Sequence, residues 1–144
     1  MARSISIDAA VNAMQHVFTY GTLKRGQCRE SRWPVQPTLV THAWLLGTLY
    51  SRDDYPALLT GNDRVRGERW SFNDDQIPTV LSVLDGIEGT TDNAAGDLYH
   101  RHLVAVSAMD ETSLGEAYAY FYNRDPIADG FTRVNPRDGY CCWP

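Results

Sequence analysis

The sequence is short of what several common classes of function need. It has three cysteines in 144 residues, Cys28, Cys141 and Cys142. An odd count with two of them adjacent gives neither a disulfide framework nor the spacing of a zinc site. Reduced thiols fit a cytoplasmic protein. No stretch approaches the roughly 20 apolar residues of a membrane helix, and the opening MARSISIDAAVNAMQ lacks the basic start and apolar block of a secretory leader. A soluble protein with no membrane partner is expected. Positive charge is scarce too: 13 Lys and Arg stand against 18 Asp and Glu, a formal net charge of -5. Phosphate binding needs clustered cations, whereas the densest group, Arg25, Arg29 and Arg32, is interleaved with Glu30 and Trp33. No nucleic-acid partner is expected.

Catalytic signatures of several kinds are also missing. There is no G-x-x-x-x-G-K-[ST], no G-x-S-x-G and no H-E-x-x-H. His100 and His102 fall on one face if their segment is a strand, but no carboxylate or cysteine at a suitable spacing completes a metal site. They read as surface or packing histidines.

What is present is enough apolar and aromatic content, 43% and 11%, to build one globular domain over residues 1–144. Its core runs from about 16 to 123. The tail, 124–144, is broken by Pro126, Gly130, Pro136 and Gly139 and reads as irregular. Strands are expected at His16–Gly21, 41–51, Tyr55–Leu59, Val65–Phe72, Tyr99–Ser107 and Leu114–Tyr122. Gly61-Asn62-Asp63 supplies a turn between the third and fourth, and 24–38, with Pro34 and Pro37, reads as a loop. In the last strand Tyr118, Tyr120 and Tyr122 share a face.

Ile77, Val80, Leu81, Leu84 and Ile87 follow helical spacing instead. Asn73, Asp74 and Asp75 are N-cap candidates, Pro78 is tolerable in a first turn, and Gly89 can end the helix. The predicted class is therefore α+β: a small mixed β-barrel of about six strands flanked by one or two helices.

Two stretches carry candidate chemistry. At about 100° per residue, Glu88 lies roughly 40° from Leu84, on the apolar stripe itself. Burial beside hydrocarbon and the negative end of the helix dipole both raise a carboxyl pKa, as a general base requires. Asp85, at the stripe's edge, reads as a solvated or capping group. The second stretch is Tyr20-Gly21-Thr22-Leu23, where a strand ends on a glycine. A sharp turn there leaves consecutive N–H groups free to converge on an anion such as a small carboxylate.

VFTYGTLKRG near the start, GTLYS at 47–51, DYPAL at 54–58, VRGERW at 65–70, LDGIEG at 84–89, LYHR at 98–101 and AYAYFY at 117–122 occur in a specific order. In that order they resemble the gamma-glutamylcyclotransferase-like family, in its gamma-glutamylamine cyclotransferase branch. The likeness spans roughly residues 17–122. It implies a small barrel, a small-molecule γ-glutamyl substrate, and release of 5-oxoproline with neither metal nor cofactor. Glu88 matches the family's general base, Tyr20, Gly21, Thr22 and Leu23 match the turn that holds the glutamyl part, and Tyr120 matches a tyrosine facing the cavity. GQCRESRWPVQP lacks the Asn-His pair often found after YGTL in relatives, and the loop from Gly89 to Tyr99 is longer than usual, so the amine released is not legible. Nor is the oligomeric state. The rival reading is a non-catalytic binding module on the same fold, against which stands the cost of keeping a carboxylate on an apolar stripe.

Overall fold

The computed structural model describes residues 13–143. The reading of residues 1–15 as no secretory leader therefore lies almost wholly outside the described residues. In chain order the elements are β1 (Met14–Thr19), β2 (Leu39–Ser51), β3 (Pro56–Asn73), α1 (Ile77–Glu88), β4 (Tyr99–Ala108), β5 (Ser113–Tyr122) and β6 (Thr132–Arg133), with a single 3-10 turn at Glu30–Arg32. The sheet runs β3-β1-β5-β4-β2, and β2 pairs back onto β3. Five strands thus close a barrel, with β6 attached to β2 outside the ring. Among the described strands only β1 and β5 pair in parallel, so the barrel is mixed and the α+β expectation holds.

Alternation along the strands sorts the apolar side chains into two layers. Phe18, Ala43, Leu45, Leu58, Val106, Ala117 and Ala119 belong to one buried cluster that contains no helix residue, and this fills the barrel. Val17, Trp70, Phe72, Tyr120 and Tyr122 point the other way, where Ile77, Val80, Leu81 and Leu84 of α1 cover them. Tyr118 packs on the edge of the same layer, so the three tyrosines do share a face.

One expectation fails at Gly61-Asn62-Asp63. Tyr55–Leu59 and Val65–Phe72 are not two strands joined by a turn but parts of the single strand β3. Opposite it, Gly47 pairs with Asp63 and the next residue, Thr48, pairs with Leu59. Thr60, Gly61 and Asn62 are therefore looped out as a bulge. A Cβ on Gly61 would lie 1.9 Å from Thr48 Oγ1 and 2.9 Å from the backbone of Gly47 and Thr48. The glycine is demanded by close approach to β2 instead of by a chain reversal.

The start of α1 also differs from expectation. Asn73 ends β3, and Gln76 occupies the N-cap with no side-chain capping bond, so Asn73, Asp74 and Asp75 cap nothing. Pro78 does sit in the first turn, and Gly89, at φ 67°, closes the helix in the left-handed conformation. A missing cap forfeits about 1 kcal/mol, whereas burying four aliphatic side chains gains about 6–12 kcal/mol before ordering costs. Packing holds this helix.

The tail is more ordered than its composition suggests. Cys141 is fully buried in the barrel cluster, and its backbone bonds both ways with β3, donating to Arg64 O at 2.8 Å and accepting from Arg66 N at 2.9 Å. Trp143 then comes within 4.0 Å of the Gly21 position, and its carbonyl accepts a 2.7 Å bond from Lys24 Nζ.

Candidate active site

Where β1 ends, the chain turns through Tyr20, Gly21, Thr22 and Leu23 under the start of β3. Gly21 is required by proximity: a Cβ there would meet the Pro56 ring at 2.6 and 2.9 Å. The turn is held by Lys24 N–H on Gly21 O at 3.1 Å and Arg29 N–H on Thr22 O at 2.8 Å. Among the described residues, nothing accepts from the N–H groups of Gly21, Thr22 or Leu23. These three residues line a cavity, and their N–H donors are unspent.

Glu88 reaches that cavity from the last turn of α1. Its position is fixed on the far side by the Gly89 cap and by the returning loop, in which Leu98 N–H donates to Gly89 O at 3.0 Å. The loop is tied internally by Asp97, whose carboxylate accepts from Thr91 N at 2.6 Å, Thr91 Oγ1 at 2.5 Å and Ala94 N at 2.9 Å. Those bonds hold the Asp97 carboxyl below its usual range. The long loop thus behaves as a compact clip on the helix end.

The Glu88 carboxyl is crowded by protein but opens onto the cavity, so its residue remains partly accessible. Desolvation raises its pKa from the ordinary 4.5 to about 7, against a smaller opposing pull from the Arg29 guanidinium. No hydrogen bond from the described residues contributes to that balance. A carboxyl poised near neutrality, with lone pairs unclaimed, is equipped to take up and return a proton.

The six residues singled out in the sequence, Tyr20, Gly21, Thr22, Leu23, Glu88 and Tyr120, all line this one cavity, of about 80 Å³. Three of its four tyrosines, Tyr20, Tyr99 and Tyr120, are already bonded through their hydroxyls. Tyr20 OH donates to Tyr120 O at 2.6 Å, and Tyr99 OH to Pro56 O at 2.7 Å. Burial, with the nearby Glu88 charge, pushes both phenols well up, which keeps them neutral donors. Tyr120 OH donates to Asp85 Oδ1 at 2.5 Å, and Arg101 Nη1 bonds Asp85 Oδ2 at 2.5 Å. Asp85 is therefore no solvated or capping group: it is half-buried and ties α1 to β4 and β5.

Sequence reasoning missed Arg29, Tyr55, Pro56 and Tyr99 in the cavity wall. Pro56 and Tyr99 lie in the segments DYPAL and LYHR, so the signal existed without a role attached. Arg29 lies in the segment that departs from the family pattern and had no such signal. His100 and His102 are engaged elsewhere, His100 Nε2 with Ala94 O at 2.8 Å and His102 edge-on to Phe121.

Residues 17–140 match the family described as gamma-glutamyl cyclotransferase, AIG2-like. YtfP of Escherichia coli K12, a gamma-glutamylcyclotransferase family protein, is 30% identical over 129 residues, covering 85% of this chain and 93% of YtfP. A gamma-L-glutamyl-butirosin B gamma-glutamyl cyclotransferase of Niallia circulans is 29% identical over 113 residues, covering 78% of this chain and 69% of that protein. The solution structure of E. coli YtfP shares the fold at a TM-score of 0.56 and 28% identity, over 88% of this chain and 95% of that one. A mouse AIG2-like protein does so at a TM-score of 0.58 and 21% identity, over 88% and 99%. With a match that runs from β1 through the cavity wall to Tyr140, the chain belongs to the gamma-glutamyl cyclotransferase, AIG2-like family.

Proposed function

We propose that this cyclotransferase-like enzyme converts a γ-glutamyl amine or amide into 5-oxoproline and the free amine, with Glu88 as general base. The observation that carries the reading is a desolvated carboxyl with a pKa of about 7 that shares one cavity with residues whose N–H groups are unspent. The turn at Gly21–Leu23 holds the α-carboxylate through those donors. Glu88 takes a proton from the α-ammonium, and the freed nitrogen attacks the γ-carbonyl carbon to close a five-membered ring. Collapse of the adduct breaks the bond to the departing nitrogen. The α-nitrogen loses two protons in all and the departing nitrogen gains two through Glu88, which ends as it began. Ring closure is intramolecular, so one base suffices. All three cysteines are unpaired, in keeping with a reducing compartment such as the cytoplasm.

Incubation of the protein and its Glu88→Gln variant with a pool of γ-glutamyl amines, γ-glutamyl amino acids and glutathione, with 5-oxoproline followed by mass spectrometry, tests the proposal. Release by the native protein alone is expected. Full activity of Glu88→Gln would remove the base, and silence from both would favour a binding module.

A further inference from the structure

The cavity has an inner end and a mouth. Tyr20, Leu23, Tyr99 and Tyr120 at the inner end are buried, whereas Arg29, Tyr55, Ile87 and Leu98 are partly exposed and form the mouth. Of the described residues lining the cavity, only Glu88 and Arg29 carry charge. Arg29 is anchored by its backbone, whose N–H donates to Thr22 O, yet among the described residues its guanidinium makes no ion pair or hydrogen bond. Its neighbour Glu30 is taken by Arg25 at 3.1 Å. Arg29 and Glu88 therefore face one cavity with opposite charges and do not close on each other, although the guanidinium is near enough to oppose the rise in the Glu88 pKa.

We infer that Arg29 sets the substrate class: it receives a carboxylate on the departing amine, so the preferred substrates are γ-glutamyl conjugates of amino acids with an apolar body, not of polyamines or other cationic amines. The inference rests on the cyclisation reading above. If the α-carboxylate is held by the Gly21–Leu23 donors, the ring-forming atoms occupy the inner end, and the departing group must point outward past Arg29. Tyr55, Ile87 and Leu98 give that group apolar walls, and among the described residues the one unpaired charge at the mouth is positive. An anionic substituent gains a charge-assisted hydrogen bond there, and a cationic one meets like charge.

The test compares two neutral-bodied conjugates of similar size, γ-glutamyl-leucine and γ-glutamyl-isopentylamide, which differ by one carboxylate. In the native protein kcat/KM should favour the acid by about tenfold or more. Arg29→Gln should bring that ratio close to one, and Arg29→Glu should reverse it and admit γ-glutamyl-putrescine. Taking the ratio within each protein cancels any general loss of folding. An unchanged ratio in Arg29→Gln overturns the inference, as does an equal loss on both conjugates, which would put Arg29 on the α-carboxylate they share. Should the native protein cyclise neither conjugate, the cyclisation reading fails by itself. Calorimetric binding of the same pair to native protein and Arg29→Gln then decides the Arg29 inference: tighter binding of the acid that depends on Arg29 supports it, and equal or absent binding overturns it.

Discussion

Replacing Glu88 by Gln should stabilise the fold above neutral pH while it removes the proposed base. A rise in pKa from 4.5 to about 7 corresponds to a penalty of roughly 3 kcal/mol on the buried carboxylate. Because the folded-state value lies above the unfolded one, the penalty is absent below pH 4.5, where both states hold the proton. It grows as pH rises through that interval and is complete above about 7. Glutamine is close in shape to the protonated acid and carries no charge at any pH. The variant should therefore match the native protein near pH 4 and exceed it by up to about 3 kcal/mol at pH 8. For 144 residues the unfolding entropy near Tm is about 0.3 kcal/mol/K, so the gain reads as a rise in Tm of about 10 °C. Thermal melts of both proteins at half-unit steps from pH 4 to 8 measure the difference, and subtraction removes every other titrating group. A difference that stays flat across the range would show a solvated carboxyl at the helix end and would sink the base together with the burial argument.

Gly21→Ala should cost about 1–3 kcal/mol, since its methyl would meet the Pro56 ring at 2.6 Å. Urea unfolding checks this, and a loss under about 0.5 kcal/mol would show that the turn can move aside. Tyr120→Phe removes the donor to Asp85 at 2.5 Å and should cost about 1–2 kcal/mol while Arg101 keeps its hold on the same carboxylate. If the variant matches the native protein by the same measurement, the hydroxyl contributes nothing there.

The placement of Glu88 was legible because a helical stripe fixes direction: Leu84 is buried in the helix-covered layer, and a residue four positions on must lie close to the same face. That geometry says nothing of what stands opposite. Asp85 became a linker through Arg101, sixteen residues away in sequence and on another strand, a reach no local pattern encodes. The 24–38 segment was opaque for a similar reason. Its path is set by side chains capturing backbone donors, Glu68 Oε1 from Arg25 N at 2.9 Å and Glu30 Oε1 from Gly26 N at 2.8 Å, so Arg29 arrives at the cavity by a route without periodicity. The misread turn at Gly61-Asn62-Asp63 has another cause. Bulges and turns draw on the same small and polar residues, and only pairing with β2 distinguishes them.

The bulge also constrains how this barrel can vary in length over evolution. Leu45 and Leu49 on β2 are four residues apart and both fill the barrel; across from them Val65 and Leu58 are seven apart and do the same. An odd separation would place two strand residues on opposite faces, so the three looped-out residues act as a phase shifter. Insertions or deletions confined to 60–62 can be taken up there with both flanks keeping their pairing. One residue lost at 65 or 66, with the bulge unchanged, would instead turn Gly67, Trp70 and Phe72 to the wrong side. Within the stretch paired with β2, selection has a place at 60–62 to lengthen or shorten this strand, and the half that carries Pro56 to the cavity is insulated from such changes.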